Sequence, residues 1–559
     1  LPTLLLPFTP RYVALTLAWL LALAFGSLIG SDMISRWDIP LAVAFFGCLF
    51  LGLLGIRDLI QTKHSVLRTY PISAHLRFLL EHIRPEMRQY FFESETDGLP
   101  FSRTQRAIVY QRAKMQLDKR PFGTQLDTDK LGYEWLRHSM APATVSRETF
   151  RIEVGGPQCQ QPYSASVFNI SAMSFGSLSA NAIRALNRGA KLGGFAHDTG
   201  EGGYSPYHRE GGGDVIWELG SGYFGCRNPD GSFDPATFAA AAASNRQIKM
   251  IEIKLSQGAK PGHGGVLPGA KVTAEIAAIR GIEQGKDCLS PARHGAFSTP
   301  RELCGFIAKL RELSGGKPVG FKLCIGQPWE FLGVAKAMLE TGSYPDFIVV
   351  DGKEGGTGAA PLEFADHIGA PLREGLVFVR DVLNGIGAKE RVRIGCSGKI
   401  ITAFDMAVAF ALGADWCNSA RGFMFSLGCI QSLSCHTDRC PTGVATQDPA
   451  RARALVVEDK TTRVFNFHRA MLHSLAEITA AAGLAHPCEF RPEHFVRRVS
   501  EQEVLSFAEL YPALPKGALL GEIADPKWRR LWEMASADSF NMTLSPSAAR
   551  SLEPKRFVG

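Results

Sequence analysis

Cys429, Cys435 and Cys440 stand in a C-x5-C-x4-C arrangement that runs directly into PTGVATQ. Three thiolates in so short a stretch can hold metal. Zinc favours four ligands and closer C-x2-4-C pairs, so it fits only if His436 joins the set. Iron–sulfur clusters take cysteine thiolates and tolerate other spacings. With no fourth cysteine nearby, a three-iron cluster or an incomplete four-iron site are both open. The remaining cysteines are scattered and read as small buried hydrophobes in a reducing compartment.

Other chemistry-bearing residues sit among glycines. Glu201 lies in TGEGG, where the absence of side chains lets a carboxylate and backbone amides come close to a ligand. It could bind an amine, shuttle a proton, or simply pair with Lys260 or Lys271. Lys322 interrupts the apolar run GFKLCI. A cation placed there at a strand end would face the mouth of a barrel and could compensate the charge of a reduced flavin. Two short loops, SGK at 397–399 and SARG at 419–422, offer backbone N–H groups with Lys399 and Arg421 as added charge, a suitable receptor for phosphate.

These residues need a scaffold that gathers them. From about residue 165 short β-rich runs alternate with helix-like stretches, the pattern of a parallel sheet. Strands are expected at 167–172, 194–198, 215–219, 249–255, 319–324, 346–350, 392–396 and 414–418, with helices such as 302–313 and 404–412 between them. Eight units predict a closed (β/α)8 barrel of the α/β class. MSFGS, TGEGG, SQGAKPGHGG, DGKEGGTG, SGK and SARG then all follow strand ends, which places them on the one face where barrel chemistry occurs.

Ahead of the barrel, Tyr12 to Ile29 and Ile39 to Ile56 carry no charge, and each nearly matches the roughly 20 residues that cross a hydrocarbon core. A short polar link with Trp37 at the interface makes them a transmembrane hairpin. Arg57, Lys63, Arg68 and Arg77 follow the second span, so the remainder is expected on the cytoplasmic side of the inner membrane. A helical collar at 72–90 and 101–118 comes next. It could lie on the membrane or pack on the barrel, and packing is the role expected of Tyr90, Phe91 and Phe92. The expected domains are the hairpin at 1–60, the collar at 61–145, the barrel with its iron–sulfur insertion at 146–485 and an extension at 486–559. In a chain of 559 residues a net charge of +7, with no basic stripe, argues against a nucleic-acid partner.

MSFGSLS (173–179), TGEGG (199–203), QGAKPG (257–262), LPG followed by KV (267–272), GGTGA (355–359) and GCIQSLSCHTDRCPTGVATQ (428–447) closely resemble, in order, the FMN-binding synthase domain of glutamate synthases. The likeness covers about 165–485. It implies FMN in the barrel and a [3Fe-4S] cluster on Cys429, Cys435 and Cys440. It also implies electron flow from cluster to flavin and reduction of 2-iminoglutarate to glutamate. Carried over by motif, Ser174, Gln257 and Lys322 would face the flavin, Ser397, Gly398, Lys399 and Gly422 its phosphate, with Arg421 adding charge, and Glu201 the substrate. The chain departs from the family in lacking a glutaminase domain and a C-terminal β-helical domain. KLCIGQPWEF also places Gln327 and Trp329 where the family has a small loop with an acidic residue.

Three functions are therefore weighed. One is a stand-alone synthase that takes ammonia and a 2-oxo acid, with electrons from ferredoxin or another donor. A second is a membrane-linked dehydrogenase that oxidises an amino acid or amine and passes electrons to quinone or a partner protein; the hairpin motivates it. A non-catalytic membrane scaffold is the third, and the retained phosphate loops and cluster cysteines argue against it. The reading admits a homo-oligomer. G-x-G-x-x-G does not follow a strand, so direct use of a nicotinamide is not expected.

Overall fold

The computed structural model describes residues 7–31 and 38–543. It divides into two compact units, Leu1–Thr104 and Gln105–Gly559. The link 32–37, with Trp37, and the tail 544–559 lie outside the described residues.

In the first unit, helix α1 (Val13–Gly30) and helix α2 (Asp38–Ile60) are each long and apolar enough to cross a membrane. They pack as a hairpin through small residues. A Cβ on Gly55 would stand 2.5 Å from Leu15 Cδ1, and one on Gly52 would stand 2.8 Å from the Trp19 ring. Most large side chains of the pair, including Leu23, Val43, Phe46 and Phe50, point outward and are exposed. Helix α3 (Ser73–Met87) follows a short helix, Ser65–Thr69, and runs into a π-helical turn, Arg88–Phe92. Tyr90, Phe91 and Phe92, in that turn, are exposed.

The second unit is built on a closed barrel of eight parallel strands. These are β1 (Phe168–Ile170), β2 (His197–Asp198), β3 (Val215–Leu219), β4 (Ile248–Lys254), β5 (Val319–Leu323), β6 (Phe347–Asp351), β7 (Arg393–Ser397) and β8 (Trp416–Ser419). Each falls within or overlaps an expected strand. Strand β8 pairs with β1 to shut the ring, Asn418 opposite Asn169. The near-continuous burial of the strands is what a sheet covered on both faces requires.

Helices close the outer layer, and their ends are written in the chain. Helix α4 (Ala180–Gly193) is capped by Ser179, whose hydroxyl accepts from Ala182 N, and stops at left-handed Gly194. Capping boxes start α5 (Pro300–Leu313), from Thr299 and Glu302, and α6 (Ala403–Ala411), from Thr402 and Asp405. At the N-terminal end of the strands an antiparallel hairpin, Arg151–Val154 with Tyr163–Ser166, plugs the barrel. Its Val154, Tyr163 and Ala165 join Ile216, Met250, Phe347 and Trp416 in one apolar cluster. That seal leaves the C-terminal end as the open face.

Candidate active site at the C-terminal face of the barrel

The loop after β2 carries Glu201 and the loop after β4 carries Gln257. The last residue of β4, Lys254, joins them. Its Nζ lies 2.9 Å from Glu201 Oε1 and donates to Gln257 Oε1 at 3.2 Å. Gln257 in turn donates to Gly356 O at 2.7 Å, tying in the loop after β6. Gly220 and Gly265 flank the Glu201 carboxylate, and a Cβ on Gly265 would fall 2.4 Å from Oε1. Only a bare backbone fits so close. Burial pushes the Glu201 carboxyl up, but Lys254, Lys260 and Arg280 outweigh it and hold the group at about 2. Lys260 is itself buried and donates to Ala359 O at 3.2 Å. Burial first, then Lys254, brings its ammonium down to about 8. Arg280, also buried, donates to Phe175 O at 3.0 Å and Ser174 Oγ at 3.4 Å. Three cations thus act on one half-buried carboxylate, which leaves an excess of positive charge at the open face.

A second group gathers at the ends of β6, β7 and β8. Asp351 bridges three loops, accepting from Ser397 Oγ at 2.5 Å and from Gly258 N at 2.6 Å. Ser419 Oγ donates to Ile400 O at 2.7 Å and so locks the SGK loop to the SARG loop. Gly398 at φ +151° and Lys399 at φ +51° shape the first of them. Lys399 is lowered by burial and then by the neighbouring Arg421. Burial brings Arg421 down to about 10, against the pull of Asp351 and Glu354, whose backbone carbonyl accepts from its guanidinium. Two half-buried cations that disfavour each other are relieved by an anion, so these residues fit the phosphate end of FMN.

Beside the second group lies the cysteine loop. Cys429, Cys435 and Cys440 are close enough to act on one another's ionisation. Burial takes Cys429 up to about 12 and raises Cys435. Cys440 is lowered: burial opposes it, but the Thr442 hydroxyl and the N–H groups of Ala445, Thr442 and Val444 favour its thiolate. Buried Lys271 holds the loop together, donating to Ser177 O at 2.6 Å, Ala445 O at 3.3 Å and Cys435 O at 3.4 Å. Tyr110 donates to Cys429 O at 2.5 Å. Gln431, Leu433 and Asp438 all adopt left-handed φ, a cost that a loop bears when its path is set by what it encloses. The donor set fits an iron–sulfur cluster.

Lys322 belongs to neither group. Its Nζ is buried inside the barrel, paired with Glu218 of β3 and 3.2 Å from Glu252 Oε1 of β4. Asp198 of β2 completes a cluster in which three carboxylates lie within 4.8 Å of one another. Burial lowers Lys322, but Glu218, Glu252, Asp198 and Asp351 raise it well above the ordinary lysine range. Asp198 and Glu252 are both raised, by burial before all else. Lys322 stands in register with Lys254 of β4, the residue that meets Glu201.

The conserved region in glutamate synthase matches residues 144–485 of this chain. The chain belongs to the glutamate synthase family. The glutamate synthase large subunit-like protein YerD of Bacillus subtilis (strain 168) is 39% identical over 81% of this chain and 94% of its own length. The archaeal-type glutamate synthase [NADPH] of Thermotoga neapolitana is 36% identical over 56% of this chain and 59% of its own length, so this chain spans only part of that relative. Among solved structures, a flavocytochrome b2 double mutant with pyruvate bound aligns over 83% of this chain at 12% identity, with a TM-score of 0.40.

Within this family member, the residues missed from sequence are Lys254, Arg280 and the carboxylates Glu218, Glu252 and Asp198. Signals for several were present. Lys254 is the last residue of its strand. Glu218 interrupts a strand otherwise made of buried apolar residues, and Glu252 sits between buried Ile251 and Ile253. Of the two partners expected for Glu201, Lys260 is near and Lys271 is engaged elsewhere. Gln327, at the N-cap of the helix Pro328–Thr341, is exposed, and Trp329 is half-buried in its first turn.

Proposed function

We propose that this chain is an FMN- and iron–sulfur-dependent oxidoreductase that reduces a 2-imino acid, formed from 2-oxoglutarate and ammonia, to an amino acid. The observation that carries this reading is the set of three cations, Lys254, Lys260 and Arg280, acting on Glu201 at the open face of the barrel. Three cations against one carboxylate leave two positive charges, which match a guest with two carboxylates. When bound, FMN supplies the hydride and a cluster on Cys429, Cys435 and Cys440 supplies electrons. Ser397, Gly398, Lys399, Arg421 and Gly422 would hold the phosphate, with Ser174 and Gln257 nearer the ring. Lys260 and Arg280 bind and orient the carboxylates. Glu201, kept ionised by its neighbours, accepts the N–H donors of an imine or amine nitrogen and holds it in place. The names of the relatives support the same chemistry, since those that match the barrel are glutamate synthases.

The reading includes an inner-membrane hairpin, α1 and α2, with the barrel on the cytoplasmic side, supported by the length and outward apolar surface of both helices. That hairpin favours a second reading in which the same site oxidises an amino acid or amine and delivers electrons to quinone or a partner protein. The deciding experiment is anaerobic. The detergent-purified holoenzyme is reduced, 2-oxoglutarate and ammonium are added, and flavin absorbance is followed. Reoxidation with one glutamate formed per flavin supports the synthase. Persistence of reduced flavin in a fully loaded enzyme refutes it and favours the second reading.

A further inference from the structure

Helix α3 carries its apolar residues on the side that the rest of its unit leaves bare. Leu76, Leu79, Leu80, Ile83 and Met87 share one face at helical spacing, and all are exposed, Leu76 at 61% and Leu80 at 54%. Its contacts gather at the start of the helix, where Ala74 is buried and His75 reaches Asp58; the Phe78 ring, 40% exposed, lies 5.9 Å from His64. Arg77, Arg84 and Arg88 run along one margin of the apolar face. Glu81 lies 3.8 Å from Arg77 and 3.9 Å from Arg84, and Glu86 stands on the other margin. The approach to α3 is also basic, with Arg57, Lys63 and Arg68, so six cations face two exposed carboxylates across residues 57–92.

The start of α3 is fixed to the end of α2. Asp58, 1% exposed, accepts from Ile72 N at 3.0 Å and lies 2.9 Å from His75 Nε2. Arg68 Nε donates to Leu59 O at 3.2 Å. If α2 crosses a bilayer, these contacts hold the first turn of α3 at the depth where that span leaves the hydrocarbon. An exposed apolar face with an arginine margin at that depth matches one surface, the headgroup layer of an anionic bilayer.

We propose that α3 lies in the membrane interface, with Leu76, Leu79, Leu80, Ile83 and Met87 among the upper acyl chains and Arg77, Arg84 and Arg88 on anionic headgroups. This inference rests on the reading of α1 and α2 as spans. The test uses the full chain in vesicles of phosphatidylcholine, with or without phosphatidylglycerol. A photoreactive benzoyl-phenylalanine is placed at the position of Leu80 or, as a second probe, Ile83; the position of Val456, exposed in the second unit, is the control. After irradiation the expected product is a lipid adduct at 80 and 83 and none at 456. Its yield should rise several-fold with phosphatidylglycerol and lose that gain in the variant Arg77→Glu, Arg84→Glu, Arg88→Glu. A crosslink to another peptide of the chain or to a second copy overturns the proposal, as does an absence of adduct in protein that resists alkaline extraction. Protein that alkali extracts from the vesicles refutes the spanning reading itself, and this inference with it.

Discussion

At the scale of single residues, the pocket around Glu201 ties function to pH. The Lys260 ammonium of the free protein titrates at about 8, so its charge is present below that pH and lost above it. A dicarboxylate guest needs that charge. KM for 2-oxoglutarate should therefore rise as pH increases through 8, while a Lys260→Arg variant, which keeps its charge, should show no such rise. Parallel profiles for both proteins would remove Lys260 from the binding site. Glu201 works at the other end of the scale. Its folded-state value of about 2 lies below the ordinary 4.5, so its ion pairs stabilise the protein above that ordinary value. The contribution is lost as pH falls towards 2. The cysteine loop makes a sharper claim. Cys435→Ala should lose the iron–sulfur signal and its iron, and an unchanged metal content and spectrum would refute the cluster assignment. Lys322 is read by stability instead. Lys322→Met would strand Glu218 and Glu252 in the barrel and cost about 3–5 kcal/mol near neutral pH. The deficit should shrink in mild acid as Glu252, already raised to about 7, takes up a proton, and equal denaturation midpoints for both proteins would contradict the ion cluster.

At the scale of elements, loop closure around the open face depends on close backbone approach. A Cβ on Gly258 would fall 1.8 Å from Gly352 O, joining the loops after β4 and β6 with no room to spare. Gly258→Ala should destabilise the barrel by roughly 1–3 kcal/mol, read as a lower Tm. An unaltered Tm would mean that these loops can part without cost. The elements themselves were largely legible. All eight strands were marked by short apolar β-rich runs, because a parallel strand buried on both faces must be apolar nearly throughout. The helices α5 and α6 were marked by helix-like stretches at 302–313 and 404–412 between strands, and the capping boxes at Thr299 and Thr402 set their starts. Less legible was the side of the collar that meets water. Helix α3 contains apolar residues on several sides, and only buried Ala74 and the contact of His75 with Asp58 show which side is used within its own unit.

At the scale of the whole molecule, every residue assigned to the site lies in the unit Gln105–Gly559. A protein lacking residues 1–104 is therefore expected to keep flavin and iron and to need no detergent, as absorbance and iron analysis would show. A colourless or insoluble product would make the first unit part of the folding core. The sequence by itself determined the barrel, the placing of the glycine-rich loops on one face and the family, because periodicity and ordered motifs are local properties of the chain. Tertiary structure alone decided which charges meet. Lys254 joins Glu201 across two loops, and Lys322 pairs with Glu218 and Glu252. Such pairings arise between strands that are distant in sequence. Inside a barrel a charge must find an opposite one nearby, since the cost of burying it alone exceeds most other contributions to stability.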